Sequence, residues 1–296
     1  MTDAWDAVAQ VDTIDRADFY GEFVGKRKPV VIRKLTSDWR AREWGLDYFR
    51  KLGDEPKLAV KLGDVAEGKR KGMSLAEYTE ALERYEADRR NGGAASSPGY
   101  LHDVPIFRFF PKLMADIDPF PLQLFPRWYW RNWQEYAQFF MGPTGSVTPL
   151  HFDTLLTHNL FFHLAGRKRF ILIPPDQRAL CYTRDWRWTR FDPTEPDYDA
   201  FPLAKQLTPA VVELEPGDVL YMPSGTLHHV TNLSVTISFN IDWHTAGSAL
   251  EGVTSVVHGA PLKNGYYNLL SYLGLGLRVP AKYIFPFYRS YLTYVS

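Results

Sequence analysis

The stretch from Phe125 to about residue 245 constrains the fold most. Segments 136–141, 159–164, 168–173, 210–214, 218–222, 228–232 and 234–241 are short and β-branched or aromatic, and Gly, Pro or Asn separate most of them. That spacing predicts an antiparallel sandwich or barrel, not alternating strands and helices. Upstream, residues 16–24 set Phe19, Tyr20, Phe23 and Val24 at helical spacing behind Asp15, a candidate N-cap. Residues 29–32 read as a short buried strand, and Trp39 and Trp44 are expected to close the core beside them. The clearest helix is 74–90. Ser74 and Glu77 form a capping box, Leu75, Tyr78, Leu82 and Tyr85 share one face, and Glu80 and Arg84 are spaced to pair. Residues 91–98 read as a surface loop. The expected organisation is one structural unit. A helical and mixed part (1–124) packs on a barrel core (125–245), which a helical, aromatic segment (246–296) caps or extends into a dimer interface.

Composition removes several classes of function. Among 296 residues, 34 basic and 34 acidic side chains cancel, so there is no electrostatic case for nucleic acid or an anionic membrane. The nineteen Phe, seventeen Tyr and nine Trp supply too much burial for a disordered chain. Cys181 stands alone, which excludes an intrachain disulfide and a Cys-based zinc cluster. A single thiol fits a reducing compartment, and the N-terminus lacks a basic and apolar leader, so a cytoplasmic location is expected. The apolar tail is broken by Arg278, Pro280, Lys282, Pro286 and Arg289, so no membrane-spanning helix is expected. Any metal chemistry must fall to His and carboxylates.

Three elements supply such chemistry. In Thr148-Pro-Leu-His151-Phe-Asp153, an extended chain puts His151 and Asp153 on one face. Downstream, Gly217, Pro223, Gly225, His228 and Asn232 match the spacing G-x5-P-x-G-x2-H-x3-N, the second motif of the cupin barrel. The first motif of that barrel begins G-x5-H-x-H; here it runs Gly145, His151, Asp153, with a carboxylate in place of the second His. Two His and one carboxylate on one side of a metal form the facial triad of non-haem Fe(II) oxygenases. The open side has three positions: a 2-oxo acid can chelate two, leaving one for O₂. His229 competes with His228, but strand neighbours face opposite ways, and the motif spacing selects His228. In the third element, Gly166 marks a hairpin turn and Lys168 follows two residues later. A dicarboxylate co-substrate needs a cation for its far end, and Lys suits that contact. Arg167 and Arg169 should face away from it.

With these residues in view, the sequence resembles the JmjC-type, cupin-like Fe(II)/2-oxoglutarate dioxygenases. It is most similar to the group containing the asparaginyl hydroxylase known as factor inhibiting hypoxia-inducible factor. The resemblance is densest over 136–243. It implies a double-stranded β-helix, or jelly-roll barrel, that is mainly β with flanking helices. It also implies roles: His151, Asp153 and His228 for Fe(II); Lys168, Thr148 and Tyr100 for the distal carboxylate of 2-oxoglutarate; Asn159 and Asn240 at the metal-chelating end. One departure is visible. Asp153 and Asn159 are six positions apart where the family commonly has four, and the extra length, within 155–158, is expected beside the metal where substrate approaches. His163 stands where a Gln is frequent.

The leading expectation is hydroxylation of a C–H bond in a peptide side chain or small molecule, with 2-oxoglutarate and O₂ consumed and succinate and CO₂ released. Two alternatives stand beside it: a cupin enzyme using its metal as a Lewis acid without O₂, which has no use for Lys168 or Thr148, and a noncatalytic binding protein retaining the barrel. A histone-demethylase role draws no support from composition: there is no reader domain, zinc cluster or charge bias. The aromatic tail exposes too much apolar area for a free surface, so it should pack on the barrel or join two chains as a homodimer.

Overall fold

A computed structural model describes residue 5 and residues 7–294. Residues 1–4 and 6, part of the leader region considered above, and Val295 and Ser296 at the end of the tail lie outside the described residues. Among those described, fifteen strands form two sheets. In chain order they are β1 (Ala9–Val11), β2 (Val30–Ile32), β3 (Leu58–Lys61), β4 (Arg70–Met73), β5 (Tyr100–Val104), β6 (Ala137–Gly142), β7 (Val147–His151), β8 (His158–Ala165), β9 (Lys168–Ile173), β10 (Thr183–Arg184), β11 (Trp188–Thr189), β12 (Ala210–Leu214), β13 (Val219–Met222), β14 (Leu227–Asn232) and β15 (Thr236–Trp243). The α-helices are α1 (Arg16–Asp18), α2 (Leu46–Arg50), α3 (Leu75–Arg90), α4 (Ile106–Phe109), α5 (Ala246–Thr254), α6 (Leu262–Leu275) and α7 (Ala281–Tyr294).

The major sheet runs β1-β2-β13-β8-β15-β6-β5-β3-β4, and the minor sheet β10-β11-β7-β14-β9-β12. Strands from the first 104 residues therefore complete the major sheet at both edges: β2 pairs with β13, and β5 with β6. This is the jelly-roll arrangement with flanking helices expected from the strand spacing. Its centre is the antiparallel run β13-β8-β15-β6, and seven of the eight residues of β8 are buried because both faces of that strand are covered.

The two faces of the major sheet feed two cores. On the outer face, Phe162 and Phe239 stack at 4.7 Å between ring centroids, and Trp39 lies 5.4 Å from Phe162. Trp39 and Trp44 are both buried there, as expected. On the inner face, Phe140, Phe161, Leu220 and Met222 join Phe170 and Val230 of the minor sheet in the core of the barrel. The minor sheet shows the alternation of a half-covered sheet: Lys168 is buried and Arg169 exposed, while Arg167 and Arg169 pair outside with Glu213.

Local expectations hold with two changes. Ser74 Oγ accepts the Glu77 N–H at 3.1 Å while Glu77 accepts the Ser74 N–H at 2.8 Å, so the capping box caps α3. Asp15 caps α1, but that helix ends at Asp18 and the chain widens into a π turn over 19–24, which still buries Phe19 and Val24. The expected Glu80–Arg84 ion pair is not formed; Arg84 Nε donates instead to the Glu80 carbonyl at 3.3 Å. An exposed carboxylate so readily hydrated gains little from such a pair.

Gly166 sits at the β8–β9 turn with φ +80°, and a Cβ there would lie 1.9 Å from the Val235 carbonyl oxygen. Its own carbonyl is in hydrogen-bond contact with His163 Nε2 at 2.8 Å. Gly166→Ala combines left-handed strain with a backbone clash, so it should cost about 2–4 kcal/mol. Urea unfolding will register this as a lowered midpoint with an unchanged slope.

Candidate metal centre and co-substrate pocket

Strands β7 and β14 pair so that His228 stands directly opposite His151. Opposed residues of an antiparallel pair share a face, and the two rings lie 4.2 Å apart. Each imidazole is fixed through its Nδ1: His151 Nδ1–H donates to the Pro149 carbonyl at 2.8 Å, and His228 Nδ1–H to the Thr226 carbonyl at 3.1 Å. Both Nε2 atoms are thereby left as lone-pair donors to a common point. Asp153, two residues beyond the end of β7, brings Oδ1 to 4.0 Å from His228 Nε2. One ligand atom from each of the three residues lies within 4.8 Å of the others. Burial and the neighbouring His228 hold His151 well below the usual imidazole range, so it is neutral as a metal ligand must be. Donor type, number and orientation fit a single divalent ion bound on one side, with the other side facing the cavity.

His229 turns away, as expected. It is buried outside the cavity lining, where the Asp192 carboxylate acts on its ring. His163 serves the Gly166 turn, not the cavity.

The triad opens into a cavity walled by both sheets, and the predicted co-substrate residues Tyr100, Thr148, Asn159, Lys168 and Asn240 all line it. Lys168 is wholly buried at the end away from the metal ligands. Its ammonium donates to Tyr100 Oη at 3.1 Å and to Ser238 Oγ at 3.0 Å, with the Phe161 ring centroid 4.9 Å away. No carboxylate pairs with it among the described residues, and burial pulls its pKa down to about 7. Asn159 Nδ2 lies 3.4 Å from Asp153 Oδ2 and 2.8 Å from Asp242 Oδ1. Asn240 Nδ2 also donates to Asp242 Oδ1, at 3.2 Å.

The two extra residues before Asn159 do not face the metal, contrary to the sequence expectation. Leu155 is in the core, Leu156 turns with φ +58° and accepts from Ser224 Oγ at 2.5 Å, and His158 packs on Trp243 with its Nδ1 accepting the Ser224 N–H at 3.2 Å. Apolar side chains at 155 and 156 are driven inward, so the loop folds under itself; only Thr154 and Asn159, which flank it, reach the cavity.

Sequence reasoning missed Ser238, Asp242, His102, Asp103, Arg187 and Tyr291, all of which touch Lys168 or line the cavity. The first two carried a signal. Ser238, Asn240 and Asp242 alternate along β15, so the face assigned to Asn240 includes the others. Burial and the Asp153 charge push the Asp242 carboxyl well above the usual range. Arg187 and Tyr291 arrive from the β10–β11 turn and from α7, far away in sequence.

The chain belongs to the family described as the cupin-like domain, whose model matches residues 16–249. Among curated proteins it is similar to the arginine-specific demethylase JMJ20 of Arabidopsis thaliana, with 29% identity over 77% of this chain and 55% of that protein. It is equally similar to the 2-oxoglutarate and iron-dependent oxygenase JMJD4 of Gallus gallus, with 29% identity over 80% of this chain and 60% of the relative. The lysine-specific demethylase JMJ30 of Arabidopsis thaliana matches at 28% identity over 73% of this chain and 49% of its own length. The chain thus spans about half to three-fifths of the length of these relatives.

If the triad holds the ion as its geometry suggests, His151→Ala and His228→Ala should each abolish stoichiometric Co(II) binding and its visible absorption bands. His229→Ala should retain both, because its ring faces away. A bound spectrum that survives His228→Ala and fails in His229→Ala would reverse the assignment.

Proposed function

We propose that the chain is an Fe(II)- and 2-oxoglutarate-dependent oxygenase that hydroxylates a C–H bond of a peptide side chain or small molecule. The observation that carries this reading is Lys168: a buried ammonium with no carboxylate partner among the described residues, at the far end of the cavity that begins at the His151–Asp153–His228 triad. An unpaired buried cation is costly, and a dicarboxylate that reaches from metal to ammonium removes that cost. Relatives whose names carry 2-oxoglutarate and iron dependence support it.

In this reading His151, Asp153 and His228 hold Fe(II), which with 2-oxoglutarate and O₂ supplies the oxidising power for C–H cleavage while succinate and CO₂ are released. The protein's own part is placement. Lys168, Tyr100 and Thr148 take the distal carboxylate, and Asn159 and Asn240 fix the walls beside the metal. Phe140, Phe161 and Phe170 keep that end of the cavity dry, which strengthens the charged contact. A non-oxidative cupin enzyme has no need of the buried Lys168. Relatives named for arginine- and lysine-specific demethylation support a peptide substrate over a free metabolite. A cytoplasmic location remains part of the reading, supported by the single Cys181, which is buried. None of the described helices is long and apolar enough to cross a membrane.

The C-terminal helices support a homodimer. Tyr267, Leu270, Ile284 and Tyr288 pack inward, but Leu262, Leu277, Tyr283 and Phe287 are 80, 61, 60 and 59% exposed. An apolar face of that kind is best covered by a second copy. Light scattering should show wild-type chain as a dimer and Leu262→Glu/Phe287→Glu as a monomer; a monomeric wild type rejects this part.

The co-substrate assignment has a pH signature. Only the ammonium form of Lys168 can take the carboxylate, and without ligand that form is lost as pH rises through about 7. Affinity for 2-oxoglutarate should therefore change little between about pH 5.5 and 6.5, where the carboxylate is ionised and Lys168 protonated, and weaken by about tenfold per pH unit above 7, until the raised pKa of the complex is passed. Succinate formation with Fe(II) and O₂ should follow it at low co-substrate, and Lys168→Ala should abolish both. A wild-type chain that binds no 2-oxoglutarate at pH 6 overturns the function.

A further inference from the structure

A second cavity lies beside the co-substrate pocket. Val65, Tyr85, Arg89, Ser97, Gly145 and Val147 are among the residues that line it, and Arg89, Ser97 and Val147 are exposed, so it meets solvent. Among the described residues, Tyr100 alone lines both cavities. Alternation along β7 separates the rest: Thr148 faces the pocket, while Val147 and Pro149 face the outer cavity. The two spaces differ in size. The pocket holds about 60 Å³ and the outer cavity about 420 Å³.

The Tyr100 ring is closely held where it stands. A Cβ added to Gly142 would lie 2.4 Å from Tyr100 Cδ2, so the ring occupies ground that any larger residue at 142 would take. The His102 ring meets it edge-on at 5.1 Å, and the Phe140 ring lies 6.3 Å away. Its hydroxyl reaches the Lys168 ammonium at 3.1 Å. Tyr100 is therefore buried although it borders a cavity open to solvent. Ring and hydroxyl have separable effects. The hydroxyl touches the cation that takes the distal carboxylate; the ring decides whether anything extends past that cation.

A 2-oxo dicarboxylate held by the metal at one end and Lys168 at the other spans a distance set by paired strands. An acid one methylene longer needs room beyond that span. The pocket is tightly filled, and overpacking such a space is costly. The spare volume lies behind Tyr100.

We infer that the Tyr100 ring is a specificity-determining partition, which sets the chain length of the 2-oxo dicarboxylate by closing the pocket off from the cavity behind it. This deepens the co-substrate reading and rests on it. Removing the ring joins the two cavities and gives a longer acid a place for its distal end. Removing the hydroxyl alone leaves the partition standing.

The test is calorimetric titration of the full chain loaded with Mn(II), under nitrogen, with three probes: 2-oxoglutarate, the longer 2-oxoadipate, and 2-oxobutyrate, which has the chelating head without a distal carboxylate. Wild type should bind 2-oxoadipate at least about tenfold more weakly than 2-oxoglutarate. Tyr100→Phe should weaken both dicarboxylates about tenfold, since a hydrogen bond near a charged group is lost, and should preserve their ratio. Tyr100→Ala should bring the two to within about threefold of each other. Tyr100→Leu, a milder truncation, should move the ratio the same way by a smaller factor, and it carries the test if the alanine variant does not fold. 2-Oxobutyrate should stay within twofold throughout. A wild type that accepts both dicarboxylates equally, truncated variants that keep the wild-type ratio, a Tyr100→Phe ratio as relaxed as that of Tyr100→Ala, or a parallel loss of 2-oxobutyrate each overturn the inference. If wild type binds 2-oxoglutarate no better than 2-oxobutyrate, the co-substrate reading has failed, which is a separate result.

Discussion

Strand β14 lies between β7 and β9, and its register fixes both ends of the cavity at once. Against β7 it sets His228 opposite His151; against β9 it sets Asn232 opposite Lys168. A slip of one residue would turn His228 to the outer face and His229 inward, and it would carry every neighbour with it. The fold guards against this slip at both strand ends. Gly225 takes φ +74° in the turn that starts β14, and Asn232 is held at the other end, where its N–H donates to the Ser146 carbonyl and its carbonyl accepts from Gly145 N–H. The separation between metal ligands and buried ammonium is thus a property of paired backbones. Side-chain flexibility contributes little to it.

Such a cavity must hold charge without collapsing or filling with water. Its inner end is lined by aromatic rings: those of Phe161, Phe140 and Tyr100 lie 4.9, 5.6 and 5.8 Å from the Lys168 ammonium. Burial of an ammonium there is tolerated because Tyr100 and Ser238 accept two of its three protons, which leaves one direction unsatisfied. Asp103 and Lys61 show the opposite solution, a closed ion pair that asks for no ligand. Burial raises the carboxyl pKa of Asp103, yet its contacts with the His102 ring and the Lys61 ammonium more than offset this and keep it ionised. Comparing the two lysines explains why one is open to an incoming anion and the other is not.

How far the sequence reveals this arrangement depends on the range of the interactions. Period-two alternation is local, so β8, β9, β12 and β14 lie where strand spacing puts them, and Arg167 and Arg169 face away from Lys168 as alternation requires. The His228 motif is legible because turn residues Gly217, Pro223 and Gly225 fix its distance to a strand start, and Gly145 marks the turn before the strand that ends at His151. Strands β3 and β4 carried no such mark. Arg70, Lys71 and Gly72 are exposed and show no apolar alternation, and β4 pairs with β3 at the edge of the major sheet. The loop before Asn159 misled for a related reason. Length alone says that residues are added, whereas the burial of Leu155 and the hydrogen bonds of Leu156 and His158 decide where they go.

The outer rim of the cavity follows from this distinction. The inner end is built from barrel strands within 100–240, where spacing and alternation set each side chain. The rim adds Thr154, Arg187 and Tyr291, which come from a loop, a short hairpin and the C-terminal helix. These are tied to one another over long range: the Thr154 carbonyl accepts from Trp186 Nε1 and from Asn264 Nδ2, both at 3.0 Å, so the β10–β11 turn and α6 meet above the metal ligands. Arg187 lies over the Trp188 ring, and that ring packs on His151. In the proposed reading, co-substrate chemistry therefore sits on rigid paired strands, while the surface that would meet a substrate is assembled from segments able to change independently of them. A barrel that keeps one reaction and exchanges its rim can serve different substrates, so the strands speak to the reaction and the rim to the substrate.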